Sequence, residues 1–213
     1  MMVNKTELVN CEVATMKYKL GIYGSNVRES EEAITIAREL GETLAKNGMI
    51  VVTGGCSGMP YEVAHAAKQE GAEIWGFTPE RDEAGQKRAY PDDDITIYDK
   101  LFYVPEGYSE RFFLEQGLTA AQDHATRLKY RNVISTLHVD AGMIISGGWG
   151  TLNEFTNLIY DGKPIGVLTG TGGLADELPG WFPRLRKKTG SQVFFNRKAD
   201  ELVGLLLREL AQQ

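Results

Sequence analysis

The chain has 213 residues, 42 % of them hydrophobic, with 23 Lys+Arg against 29 Asp+Glu for a net charge of −6. That length buries a core without disulfides or metals, and the acidic balance without a basic cluster excludes a general nucleic-acid groove. Two cysteines, Cys11 and Cys56, without CxxC or HxxxH spacing, and no apolar run near the ~18–20 residues that cross a bilayer, point to a cytoplasmic protein with no membrane segment and no metal site.

Residues 1–16 include Asn4, Lys5, Glu7, Asn10 and Glu12, lack the apolar stretch of a secretory signal, and read as a loose N-terminal tail. From residue 17 to 213 the pattern is that of one domain in which strands and helices alternate. Lys19 to Tyr23 is a short apolar strand ending at the turn Gly24-Ser25-Asn26. Ser30, with Glu31 and Glu32 behind it, is an N-cap; Ala33, Ala37, Leu40 and Leu44 follow at helical spacing and Gly48 ends the helix. Met49 to Val52 is a buried strand, and Pro60 opens a helix that ends at Gly71. Glu73 to Phe77 is a third strand. Residues 80–100, with Asp92-Asp93-Asp94, show no clear pattern and read as a surface loop or lid. A fourth strand spans Leu101 to Val104. A long helical stretch carrying Phe112, Phe113 and Leu114 covers about 109–137, with a break near Asp123 or His124. Ala141 to Ile145 is the next strand, followed by a helix from Leu152 to Tyr160. Ile165 to Leu168 is a strand, residues 174–188 are irregularly helical, Val193 to Phe195 is the last strand, and Ala199 to Leu210 is an amphipathic helix with Leu202, Leu206 and Leu210 on one stripe. Seven continuous apolar strands alternating with helices predict an α/β fold: an open parallel sheet of about seven strands with helices on both faces.

Glycine is over-represented, at 24 of 213 residues, against about 7 % in an average protein. Nine of the glycines fall in three clusters, at 54, 55 and 58, at 147, 148 and 150, and at 170, 172 and 173. Each follows a predicted strand, at the sheet edge where α/β proteins bind ligands and where backbone amides meet anions. Tight βα turns need glycine in any such sheet, but repeated Gly-Gly clusters favour a phosphate-bearing ligand. GxGxxG, GxxxxGK[ST] and GxSxG are all absent, which removes the usual dinucleotide fingerprint, a Walker-type ATPase and a nucleophile elbow. Thr151-Leu152-Asn153-Glu154 has the T-x-x-E spacing of a capping box, and spacing alone favours that role for Glu154. The same position also places a carboxylate at the mouth of the anion site. Trp149 suits either packing against a base or plugging the turn. His65, His124 and His138 lie on separate elements without ligand spacing.

The stretch Ser146-Gly147-Gly148-Trp149-Gly150-Thr151-Leu152-Asn153-Glu154 resembles the PGGxGTxxE motif of the LOG (LONELY GUY) family. Gly54-Gly55-Cys56-Ser57-Gly58-Met59 resembles that family's upstream Gly-Gly-x-x-Gly-Leu-Met turn, Arg131-Asn132 stands where it has Arg-Lys, and Gly24-Ser25 matches its opening turn. The resemblance covers roughly residues 17–210. Ser146 replaces the motif's proline and Asn132 its lysine; an Arg-Asn pair resembles the related branch that includes molybdenum-cofactor carrier proteins. The resemblance implies a Rossmann-like fold and cleavage of the N-glycosidic bond of a nucleoside 5′-monophosphate, such as AMP or a cytokinin ribotide, to free base and ribose 5-phosphate. It implies that Gly147, Gly148, Gly150 and Thr151 hold the phosphate, that Gly24, Ser25, Gly54, Gly55, Gly58 and Met59 line the same site, and that Arg131 and Glu154 are catalytic. No metal or organic cofactor is implied, and a homodimer is. The alternative is a carrier that holds a phosphorylated nucleotide or pterin without turnover.

Overall fold

A computed structural model describes residues 17–105, 107–108, 119–185 and 189–213. Seven strands, β1 (Lys19–Gly24), β2 (Ile50–Thr53), β3 (Ile74–Phe77), β4 (Lys100–Phe102), β5 (Ala141–Ile145), β6 (Ile165–Leu168) and β7 (Val193–Asn196), form one sheet in the order β4-β3-β2-β1-β5-β6-β7. Every pairing is parallel, with Gly21 opposite both Val52 and Gly142. The expected open α/β sheet is thus present, in a Rossmann-like arrangement.

The helices are α1 (Glu31–Lys46), α2 (Met59–Gln69), α3 (Glu83–Ala89), α4 (Ala120–Leu137), α5 (Trp149–Tyr160), α6 (Gly173–Trp181) and α7 (Ala199–Leu210). Because successive strand side chains point to opposite faces, Leu20 and Ile22 of β1 join a core with Leu40 of α1, Val63 of α2 and Leu206 of α7. Tyr23 joins the other core, with Phe155 and Leu158 of α5 and Leu178 of α6. The helix after β1 therefore covers one face and the helix after β5 the other. Since β1 and β5 are neighbours, the crevice between their loops is the topological switch point, where ligands of such sheets bind.

Local signals account for most element ends. Ser30 Oγ accepts the Ala33 amide at 3.2 Å, as its N-cap role requires, and Leu202, Leu206 and Leu210 are buried on α7. Three readings change. Within 80–100 there is a helix, α3, capped by the Asp82 side chain, and a 3-10 turn at Ile95–Ile97. Its seven residues expose all but Gly85 and Gln86, too few buried positions to give the region a readable period. The fourth helix begins at Ala120, where Thr119 and Gln122 form a capping box, and runs unbroken past Asp123 and His124. Finally, α5 starts at Trp149, three residues before the expected Leu152. The tail and Phe112, Phe113 and Leu114 lie outside the described residues. Among the described residues no helix is long and apolar enough to cross a membrane.

Candidate ligand site at the switch point

A cavity of about 430 Å³ opens at the carboxyl ends of β1, β2 and β5, within the ordinary size range of a small-molecule site. Its walls bring together Gly24 and Ser25 after β1, Gly54 after β2, Arg131 of α4, and Gly147, Gly148, Gly150, Thr151 and Glu154 around the start of α5. Of the residues expected to line it, Gly55, Gly58 and Met59 do not. Gly55 holds the turn, its carbonyl accepting from Gln86 Nε2. Gly58 is the N-cap of α2, packed against the Ser25–Asn26 backbone, and Met59 is fully buried in the core. Tyr23, Asn26, Cys56, Ser57, Tyr90 and Leu128 are among the other residues of the walls. Tyr90 follows α3 and arrives from a distant segment, so no local motif marks it.

The three glycine turns differ in what occupies their donors. After β6, the amides of Gly170 and Gly172 both donate to the Asp176 carboxylate, so that turn already carries an anion of its own. It supports its neighbour instead: Leu174 N–H donates to the Gly147 carbonyl at 2.8 Å, and Thr171 Oγ1 accepts the Ser146 amide at 2.8 Å. After β2, Ser57 Oγ donates to Asp93 Oδ1 at 2.8 Å, while the Met59 amide is taken by the Ser25 carbonyl. After β5 the situation reverses. N-cap Gly148 has no side chain to cap the helix, and within the described residues the amides from Gly148 to Thr151 meet no acceptor. Four orphan amides at the positive end of a helix dipole are an anion seat.

This geometry overturns the capping-box reading of Thr151 and Glu154. Thr151 is the third residue of α5, not its N-cap, and no side-chain cap is formed. The Gly-Trp-Gly sequence reads as loop, which displaces the apparent helix start and, with it, the apparent cap. Thr151 is buried beneath the turn and Glu154 is one helical turn beyond the seat, its carboxyl facing the cavity. Trp149 is 88 % exposed at the rim, so it does not plug the turn. Gly147, at φ +98°, adopts a conformation that L side chains avoid, and a Cβ there would strike Thr151.

Ser146 holds an uncommon left-handed backbone at φ +53° and its hydroxyl donates to Glu29 Oε1 at 2.7 Å. Proline fixes φ near −65°, so the proline of the PGGxGTxxE motif has no place in this turn as folded. Asn132, where that family has lysine, donates from Nδ2 to Asn153 Oδ1 at 3.0 Å and so ties α4 to α5. Its own Oδ1 is buried without a partner.

Arg131 and Glu154 are the one cation and the one carboxylate among the lining residues. Glu154 is only 6 % exposed, and burial raises its pKa to about 7, against the opposing pull of the Arg131 charge. It makes no hydrogen bond or ion pair within the described residues. Arg131 lies so close to Gly54 that a methyl group there would coincide with its guanidinium, and its Nε is buried without a partner. Cys56 is near enough for its thiol to share a hydrogen bond with Arg131, yet burial raises the thiol's pKa and keeps it protonated. A buried carboxyl poised near neutrality, a fixed guanidinium and an empty ring of amides can bind an anionic ligand and move a proton beside it.

Residues 17–101 match the family model described as the SLOG cluster4 family. An uncharacterized protein of Archaeoglobus fulgidus is 25 % identical over 150 residues, covering 70 % of this chain and 79 % of that protein. Among solved structures, the structural-genomics target TM1055 aligns with a TM-score of 0.66 at 23 % identity, covering 91 % of this chain and 99 % of that one. The molybdenum cofactor binding protein of the phototrophic bacterium Rippkaea orientalis aligns with a TM-score of 0.64 at 18 % identity, covering 92 % and 99 %. At those identities the structural likeness is one of fold. The chain thus has a Rossmann-like fold, and its residues 17–101 match the SLOG cluster4 family model.

Proposed function

We propose that the cavity binds a nucleoside 5′-monophosphate and hydrolyses its N-glycosidic bond, giving free base and ribose 5-phosphate. The observation that carries this reading is the placement of Glu154 and Arg131 in one cavity with the uncapped start of α5. The 5′-phosphate sits on the amides of Gly148 to Thr151, which leaves the ribose over Glu154. As the bond from C1′ to the base nitrogen breaks, the electron pair leaves with the base and positive charge builds on the sugar. The ionised Glu154 carboxylate stabilises that charge and takes a proton from the water that adds to C1′; solvent protonates the departing base nitrogen, and Glu154 returns its proton to solvent. A pKa near 7 suits a group that must gain and lose a proton at neutral pH. Arg131 supplies a planar fork to phosphate or ribose oxygens. The setting is the cytoplasm, and no metal or organic cofactor enters.

A second reading, retention of a phosphorylated nucleotide or pterin without turnover, draws on Asn132 in place of lysine and on the fold shared with a molybdenum cofactor binding protein. Incubation of the pure protein with AMP and isopentenyl-AMP separates the two. The hydrolase reading expects free base, with a loss of about 10²–10⁴-fold in Glu154→Gln. Tight nucleotide retention without free base selects the carrier, and turnover unchanged in Glu154→Gln removes the role given to that residue.

We also propose a homodimer. Trp149 and Tyr160 are each 88 % exposed, and their separation of eleven residues places them on one face of α5, about three turns apart. Val133 and Leu137 of α4 are exposed as well. Tyr160→Glu is expected to halve the mass measured by light scattering; a wild-type monomer removes the proposal.

A further inference from the structure

We propose that Asp93 is a specificity-determining residue that limits the cavity to ligands anionic at one end. The inference rests on the nucleotide reading given above. Two glycine turns face the cavity, after β2 and after β5, and they flank β1 in the sheet. Two strand spacings of roughly 4.8 Å put them about 10 Å apart, the scale on which a ribose carries phosphates at opposite ends. The turn after β5 offers a run of four amides without an acceptor, whereas at the turn after β2 the Gly55 and Met59 amides are taken by Thr53 Oγ1 and the Ser25 carbonyl. At the other turn Asp93 is fastened by Ser57 Oγ at 2.8 Å, with the Ser57 amide also turned toward it. Ser57 and Cys56 line the cavity in front of it.

The placement of this carboxylate is not explained by stability. Its Oδ2 is buried with no hydrogen-bond partner, an arrangement that costs free energy. Burial pushes its pKa up, and the hydrogen bond from Ser57 opposes that rise. No cation offsets its charge: the ion pairs among the described residues use other carboxylates, including Asp99 with Lys68 and Asp123 with Arg81 and Arg127. A fixed negative charge occupying the hydroxyl donor of a glycine turn does two things. It removes one donor that a second phosphate would use, the Ser57 hydroxyl, and it repels that phosphate directly. A nucleoside 5′-monophosphate presents only its sugar and base to this end and avoids both penalties. A nucleoside 3′,5′-bisphosphate does not.

Asp93→Asn isolates the charge, because its Oδ1 still accepts from Ser57 and its Nδ2 replaces the unpartnered oxygen. Calorimetric titration of wild type and variant would use AMP, ADP and adenosine 3′,5′-bisphosphate. The wild type is expected to bind the bisphosphate at least about tenfold more weakly than AMP, as a like charge within several ångströms requires. In Asp93→Asn that ratio falls to about threefold or less, with AMP affinity changed less than about twofold. ADP is the control: its extra phosphate extends from the 5′ end, so its ratio to AMP is the same in both proteins. An unchanged bisphosphate ratio in Asp93→Asn, with AMP still bound, overturns the inference and leaves the nucleotide reading standing. Failure of the wild type to bind AMP overturns both.

Discussion

Replacing Glu154 with glutamine keeps the shape of the side chain and removes its titration, and the structure sets the size of the effect on stability. The Glu154 carboxyl titrates near 7 in the folded protein against an ordinary value of 4.5, because burial penalises its charged form more than Arg131 favours it. Between those two pH values the native protein holds a proton that the unfolded chain has released. Stability from this group is therefore complete below about 4.5 and is lost as pH rises through 7. Each pH unit in that window is worth about 1.4 kcal/mol per proton, so the wild type loses about 3 kcal/mol from Glu154 between pH 4.5 and 7.5. Other carboxylates do not obscure this. Those of Asp94, Asp99 and Asp123 are held below their usual range and titrate under the window. Asp93 is raised as well, but it is present in both proteins and cancels in the comparison. The assay is guanidinium unfolding of wild type and Glu154→Gln at pH 5.0, 6.0 and 7.5, with the free energies subtracted at each pH. The difference is expected to move toward the variant by roughly 2–3 kcal/mol from pH 5.0 to 7.5. Parallel curves would refute the claim that Glu154 is buried and poised near neutrality.

Further outcomes follow from the turns around the cavity. Gly54→Ala places a methyl group on the Arg131 guanidinium; we expect a displaced arginine, AMP affinity lower by about tenfold or more, and about 1–3 kcal/mol less stability in denaturant unfolding. Ser146→Pro forces a φ near −65° on a residue that sits at +53°, so it should lose about 3 kcal/mol or more. Ser146→Gly accepts the observed backbone and gives up the hydrogen bond to Glu29, so its unfolding free energy should stay within about 1 kcal/mol of wild type. Equal losses in the two Ser146 variants would contradict the left-handed assignment.

The fold was legible because its signals are local. Runs such as Ala141 to Ile145 are buried along their whole length, which is what a strand covered on both faces requires, and Ser30 caps its helix with the hydroxyl that its position implied. The short helix Glu83–Ala89 escaped because two buried positions carry no period. At the site, the residue types were visible and their states were not. Thr151 and Glu154 have the spacing of a cap, and only the helix start at Trp149 shows that Thr151 lies inside the first turn. Three glycine turns look alike in sequence. Asp176 stands four residues after Gly172, and its claim on that turn was open to inspection. Asp93 reaches Ser57 from 36 residues away through the packing of an irregular segment, which no spacing rule encodes.

The central claim is that one glycine turn of the three, the turn opening α5, receives the phosphate. It is tested most directly by following backbone amide resonances while AMP is titrated into labelled protein. The account predicts saturable shifts largest at Gly148, Gly150 and Thr151, with little change at Gly170, Gly172 and Gly173, whose turn is held by Asp176. Shifts concentrated at Gly170 to Gly173, or absent from Gly148 to Thr151 at saturating AMP, would contradict it.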